Sequence, residues 1–204
     1  TKATLELLFS AANNYQLLNL NDLEKYRALA ADMVDRVSQY TPQQGRWLDI
    51  GFGNGALLLT CDEFGFEPTG IDLRQQAVER IQAMGIQAQV SDIIDFNSAD
   101  KFSVISMADV LEHMPFPVQA LQKAHELLDN SGILFISCPN ADSISWKLLT
   151  ENSANPYSAE LEHYHNFGRK RLYKLLEEQG FEPLNYRISS RYRLGMEVIS
   201  RKRD

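Results

Sequence analysis

The 204-residue chain has little of what several protein classes require. It holds two cysteines, Cys61 and Cys138, too few for a disulfide framework and without the paired spacing of a zinc site. Both fall in apolar segments and are expected to be buried thiols, which fits a reducing, cytoplasmic compartment. No run of about 18 apolar residues occurs, so no membrane-spanning helix is expected. Thr1-Lys2-Ala3-Thr4 lacks the basic stretch, apolar block and cleavage site of a secretion signal. There is no internal repeat, low-complexity run or linker. Positive charge is also short, with a net charge of −7. Residues 1–168 carry 22 acids against 10 bases, and residues 169–204 carry 5 acids against 10 bases. The acidic bulk argues against nucleic-acid binding. The basic end reads most simply as solvated surface; the sharper reading is a patch for an anionic substrate.

What is present is ordinary globular material, 44% hydrophobic and 23% charged, at a length that suits one domain with a substantial core. Helices are expected over residues 5–20 and 22–40, with Asn21 or Asp22 capping the second. Strands at residues 46–50, 67–71, 86–90, 102–107 and 133–138 alternate with helices at 55–64, 74–84 and 117–128. The turn Asp129-Asn130-Ser131-Gly132 closes the last helix. Such alternation implies a parallel sheet with helices on both faces. Residues 139–166 break the rhythm as a polar insertion rich in rings, with a short helix at 143–149. A helix at 169–179 follows, then strands at 181–188 and 191–200. The link between those two strands is too short for anything but an antiparallel hairpin.

Strand one ends in Trp47-Leu48-Asp49-Ile50, and Gly51-Phe52-Gly53-Asn54-Gly55 follows at once. The glycines let the chain turn sharply and let a ligand approach the backbone. The helix behind them presents unpaired N–H groups. Two readings compete. Gly51, Gly53 and Ala56 fit the dinucleotide pattern G-x-G-x-x-G/A. Gly51, Gly53 and Gly55, with Asp49 two residues ahead, fit D-x-G-x-G-x-G. An acid beside the turn repels a pyrophosphate, but attracts a ligand that carries an ammonium or sulfonium. Gly70-Ile71-Asp72 ends strand two, 21 residues after Gly51. There a carboxylate can accept from both hydroxyls of a ribose, or cap the helix at Arg74. Asp92, in Ser91-Asp92-Ile93, can accept from an adenine amino group while Ile93 packs on the ring. Its simpler role is a turn residue.

The D-x-G-x-G-x-G loop resembles motif I of the class I S-adenosylmethionine (SAM) methyltransferases. Asp109-Val110-Leu111-Glu112-His113-Met114-Pro115 resembles the "LEH" segment after strand four in a broad group of them, including ubiquinone-type O-methyltransferases and types 11, 12 and 23. The resemblance covers roughly residues 45–138. It implies an α/β, Rossmann-like, doubly wound, mostly parallel seven-strand sheet in the order 3-2-1-4-5-7-6, ending in an antiparallel hairpin. It also implies SAM as cofactor and methyl transfer to a small-molecule acceptor. The cofactor set it suggests is Asp49, Gly51, Phe52, Gly53, Gly55, Asp72, Leu73, Ser91, Asp92, Ile93, Met107 and Ala108. The division expected is a helical cap at 1–44, a SAM-binding core at 45–138, an acceptor lid at 139–166 and a C-terminal helix and hairpin at 167–204, all within one methyltransferase domain. Leading helices in this fold often close over SAM, which makes Tyr15, Tyr26 and Arg27 candidates for its carboxylate.

Three histidines are candidates for general base. His113 can instead hold the loop before Pro115, and its recurrence among relatives with different acceptors favours that role. Relatives that modify sugars or small metabolites often carry a stretch similar to Glu162-His163-Tyr164-His165. His163 and His165, two apart, share a face if the segment is extended; a role in shaping the acceptor pocket is favoured over a metal site with Glu162, and no metal is expected. Ser106–Asp109 stands where amino methyltransferases acting on DNA bases or protein glutamine carry Asn-Pro-Pro-Tyr, which argues against those substrates. The rival readings are an NAD-dependent oxidoreductase and a non-catalytic SAM-binding protein. The acceptor, the atom methylated and the oligomeric state are not fixed by the sequence.

Overall fold

A computed structural model describes residues 20–41, 45–191 and 194–203, with side chains from residue 26 onward. The helix expected over residues 5–20, with Tyr15, lies outside the described residues apart from Leu20. Helix α1 (Leu20–Ser38) leads into β1 (Arg46–Ile50), α2 (Ala56–Glu63), β2 (Glu67–Asp72), α3 (Gln75–Ala83), β3 (Gln87–Val90) and β4 (Phe102–Ala108). A 3₁₀ turn at Leu111–His113, α4 (Pro117–Leu127) and β5 (Leu128–Pro139) follow. The insertion carries α5 (Ile144–Glu151) and a second 3₁₀ turn at Pro156–Ala159; α6 (Arg169–Glu178), β6 (Phe181–Ile188) and β7 (Gly195–Lys202) close the chain. Because α1 is already helical at Leu20, Asn21 and Asp22 lie within the helix rather than at its expected start.

The seven strands form one sheet in the order β3-β2-β1-β4-β5-β7-β6. Only β7 runs antiparallel to its neighbours, β5 and β6. Trp47 to Ile50 are all buried, as a strand covered on both faces requires. Leu48 and Ile50 pack with Ile105, Met107, Leu121, Leu172 and Leu176 on one face. Trp47 packs with Val34, Val37, Leu57, Cys61, Phe135 and Ile199 on the other. The period of two along β1 thus divides one strand between two cores. Both cysteines are buried and free.

Two boundaries differ from the sequence reading. The turn at Asp129-Asn130-Ser131-Gly132 does not separate α4 from β5. Phe102 pairs with Leu128 and Val104 with Ile133, so the four residues loop out of a continuous strand as a bulge, with Ser131 at a φ of 59°. The turn residues are real, but the strand resumes its pairing beyond them. The hairpin also turns later than expected: β7 starts at Gly195 rather than Arg191. Arg191 therefore lies in the connection. Glu197, buried on β7, accepts from Ser189 Oγ at 2.8 Å and from Arg36 of α1. Ser189 Oγ in turn accepts from the Arg191 backbone N–H at 3.2 Å.

Gly55, the N-cap of α2, has a φ of 82°. A Cβ there would lie 2.2 Å from Ile81 Cδ1, so the residue is fixed by both backbone and packing. Gly85 has a φ of 87° with open space around it. Gly55→Ala is expected to cost about 2–4 kcal/mol, strain plus overpacking, and Gly85→Ala about 1–2 kcal/mol, strain alone. Ile81→Val, which removes the clashing methyl, should recover part of the Gly55→Ala loss in urea unfolding. Equal losses at the two glycines would show that packing against Ile81 is not the constraint.

Candidate active site

The carboxyl ends of β1, β2 and β4 open into a cleft of about 690 Å³. This is the place at which open α/β sheets bind ligands. Asp49, Gly51, Phe52, Gly53, Asp72, Leu73, Ser91, Asp92, Ile93 and Ala108 all line it. Gly55 and Met107 do not. Gly55 serves the packing of α2 on α3, and Met107 is fully buried in the core. Met107 lies on the Leu48 side of the sheet, beneath the cleft floor.

Asp49 is 2% exposed. Ser106 Oγ donates to its Oδ1 at 2.6 Å, and Trp47 Nε1 donates to that hydroxyl at 2.8 Å. Burial raises the Asp49 carboxyl to about 7, against the lowering pull of the Ser106 hydrogen bond and the Arg191 charge. Gly51 N–H donates to Ile71 O at 2.7 Å, which binds the loop to β2. Gly53 has a φ of 59°, and a Cβ there would meet nothing nearer than Gly51 O at 4.0 Å. The loop thus presents bare backbone to the cleft.

Asp72 is held by four donors. Its Oδ1 accepts from Arg74 N at 3.0 Å and Nε at 2.9 Å, and its Oδ2 from Arg74 Nη2 at 2.8 Å and Gly53 N at 3.3 Å. Arg74 also donates to Gly53 O at 3.2 Å. The N-cap of α3 is Arg74 rather than Asp72. Asp92 Oδ1 accepts from Ile94 N at 3.0 Å, so it is a turn residue that also faces the cleft. Of the N-terminal candidates, Tyr26 lines the cleft, while Arg27 is ion-paired with Glu63 of α2 at 2.6 Å.

The opposite wall comes from the LEH turn, the insertion and the hairpin connection. Asp109 sits at a φ of 59°, rare for a residue with a side chain. Its carboxylate accepts from Ser137 Oγ and pairs with Arg191, both at 2.9 Å. Arg191 also donates to Ser137 Oγ at 2.9 Å. Glu112 is 1% exposed and its Oε2 has no hydrogen-bond partner. Burial raises its carboxyl to about 8, helped by the Asp109 charge. His113 Nδ1 lies 3.0 Å from Glu162 O; facing a carbonyl, that nitrogen must donate. The His113 and His163 rings meet edge to face with centroids 4.6 Å apart. Burial lowers both imidazoles below their ordinary value, so both are neutral at pH 7. Tyr157 stacks on His163, and Trp146 on Tyr157.

His163 and His165 do not share a face. His163 closes a turn, its N–H donating to Glu160 O at 3.2 Å. His163 faces the cleft, whereas His165 stacks on Phe167 and lines a separate cavity beside Pro115 and Arg171. The set Glu162, His163 and His165 is therefore not brought together as a metal site. Glu112, His113 and His163 converge instead, with their donor atoms within 4.8 Å of one another. Sequence reading missed Arg74 and Arg191 as cleft residues. The basic C-terminal end was the one signal pointing to Arg191.

Residues 23–186 match the family described as a methyltransferase domain. The chain belongs to the methyltransferase family. It is 31% identical over 165 residues to a ubiquinone biosynthesis O-methyltransferase of Histophilus somni, covering 66% of this chain and 69% of that one. A protein of the same name from Nitrosococcus oceani is 28% identical over 214 residues, covering 87% and 91%. Against others of that name, the methyltransferase spans only about half of their length. It shares its fold with a 1,6-didemethyltoxoflavin-N1-methyltransferase of Burkholderia thailandensis crystallised with S-adenosylhomocysteine, at a TM-score of 0.74 and 18% identity over 100% of this chain and 90% of that one. Among the described residues, no helix is long and apolar enough to cross a membrane.

The Asp49 carboxyl has a pH signature. It titrates near 3.8 when unfolded and near 7 when folded. Between those values the folded methyltransferase holds the extra proton. The contribution to stability is therefore full below about pH 4 and is lost as the pH rises through 7. Asp49→Asn cannot ionise, so it is expected to gain on the wild type between pH 4 and pH 8, by on the order of 4 kcal/mol. Urea midpoints at both pH values measure this. A difference that stays constant with pH would show that Asp49 ionises as readily folded as unfolded.

Proposed function

We propose that this methyltransferase transfers the methyl group of SAM to a small-molecule acceptor, most favourably a hydroxyl on a metabolite, sugar or quinone-like compound. The observation that carries this reading is a buried carboxyl, Asp49, beside a glycine loop whose backbone lies open to the cleft. The residues fit SAM along its length. Asp49 suits the α-ammonium, Asp72 the ribose diol, and Asp92 with Ile93 the adenine, while about 690 Å³ is within the range of small-molecule pockets. Bound there, SAM supplies an electrophilic methyl carbon: the acceptor oxygen forms the new bond, the C–S electron pair leaves with sulfur, and the acceptor gives up its proton. The chain contributes positioning above all. The name shared by the relatives supports oxygen as the atom methylated.

Residues 139–166 act as the lid on the acceptor side, in this reading, within a single methyltransferase domain. Trp146, Tyr157 and His163 form the stack that grips the acceptor. His163, neutral at pH 7 and at the cleft wall, is the better placed histidine to take the acceptor proton. His113 is engaged with Glu162 O and acts chiefly to hold the lid.

Calorimetry tests the cofactor. SAM and S-adenosylhomocysteine are expected to bind in the micromolar range, with no comparable NAD binding; NAD preferred over SAM would overturn the assignment. Asp72→Ala should weaken SAM by about 2–4 kcal/mol, because a charged acceptor for two hydroxyls is lost. Arg74→Ala, which removes the two guanidinium bonds to Asp72 and leaves the backbone donors Arg74 N and Gly53 N, should not weaken it.

Turnover tests the lid. With an acceptor found by S-adenosylhomocysteine release, His163→Ala is expected to leave SAM affinity nearly intact. If His163 is the base, kcat should fall by about a hundredfold or more; if it only shapes the pocket, acceptor KM should rise more than kcat falls. His165→Ala, facing the other cavity, should change both by less than about twofold. A larger effect at His165 than at His163 would reverse the assignment.

A further inference from the structure

Glu112 is a costly residue to bury. A carboxyl oxygen without a hydrogen-bond partner in the interior loses free energy that native proteins seldom forgo. His163 Nδ1 is likewise buried without a partner. These two orphaned atoms belong to residues far apart in sequence, one on the LEH turn and one on the insertion, and the two side chains converge. We propose that Glu112, His113 and His163 bind one divalent transition-metal ion, which fastens the insertion to the core at the acceptor end of the cleft.

Three observations support the site. The donor atoms of the three side chains lie within 4.8 Å of one another. A zinc ion with ligands at about 2.1 Å needs them about 3.4 Å apart, so closure by roughly 1.4 Å suffices. The His113 tautomer is set by its outer partner: Nδ1 donates to Glu162 O at 3.0 Å, which leaves the lone pair on Nε2. A ligating histidine usually gives its other ring N–H to a carbonyl or carboxylate in this way. The donor set of two imidazoles and one carboxylate suits zinc or another first-row divalent ion rather than magnesium or calcium, which prefer oxygen. The insertion is already docked on this residue, since Tyr164 N and His165 N donate to Glu112 O at 2.9 and 3.2 Å. A cation would add a side-chain tie to that backbone tie.

Metal binding is tested without SAM or acceptor, and with the ion bound His163 serves as ligand and lid anchor rather than as base. Chelator-treated full-length chain is titrated with zinc by calorimetry, without SAM or acceptor. One zinc per chain is expected to bind, with His163→Ala and Glu112→Gln each weakening it tenfold or more. His125→Ala, a histidine outside the cluster, should bind as the wild type does. Hydrogen exchange in residues 160–166 should slow when zinc is added to the wild type and not when it is added to His163→Ala. Absence of stoichiometric zinc, affinity unchanged in the two site variants, or zinc displaced by millimolar magnesium would each overturn the proposal. Glu112 is a core residue; should Glu112→Gln not fold, His163→Ala, whose side chain is only partly buried, decides the question alone.

Discussion

A carboxyl group buried at the end of β1 is the constraint on which the cleft depends. Asp49 follows Trp47 on the same face of the strand, and Ser106 lies opposite it on β4. The indole, the hydroxyl and the carboxyl form one relay. The relay supplies a donor to one carboxyl oxygen and so limits the cost of burial, yet the acid still titrates near 7. A group kept at that cost where the glycine loop turns marks the point at which a cationic ligand gains most. The same register that pairs Asp49 with Ser106 also puts Leu48 and Ile50 into the opposite core. The site and the fold therefore share one strand, and shifting either disturbs both.

The second dependence is on Glu112. Its carbonyl takes two backbone N–H groups of the insertion, its neighbour His113 reaches Glu162, and its carboxyl faces His163. The LEH turn thus sets where the 139–166 segment sits beside the cleft. The strained backbone of Asp109 belongs to the same arrangement, since it turns that carboxylate toward Ser137 and Arg191.

The cleft lining at the ends of β1, β2 and β3 was legible because its determinants are local. Asp49, Gly51, Gly53, Asp72 and Asp92 each stand at a strand end, where a short pattern of glycines, acids and apolar residues reports the turn. Gly55 and Met107 fit the same pattern but fail for a reason the pattern does not carry, namely what packs behind them: Ile81 behind Gly55, and the α4 and α6 core behind Met107. The opposite wall was poorly legible because it is built by long-range contacts. No spacing rule tells that His163 faces the cleft and His165 a separate cavity. Arg191 reaches the cleft only because the hairpin turns four residues later than its β-propensity suggests, with Ser189 and the buried Glu197 holding the connection.

Charge decides between the two readings that the glycine loop leaves open. Among the described residues, seven carboxyl groups line the cleft: Asp49, Asp72, Asp92, Asp109, Glu112, Glu160 and Glu162. Two guanidiniums oppose them, and both are already committed, Arg74 to Asp72 and Arg191 to Asp109. The histidines there are neutral. Even with the Asp49 and Glu112 carboxyls part-protonated by burial, the cleft retains an excess of negative charge. A dinucleotide would bring a pyrophosphate into that field, where the cations among the described residues are already ion-paired. A donor carrying a sulfonium and an ammonium, or a divalent cation, enters the same field at a gain. Burial sharpens the preference, because in a partly water-excluded cleft each charge acts through a lower effective dielectric than in bulk water. The glycine turn is common to both ligand classes; the acids around it are what select between them.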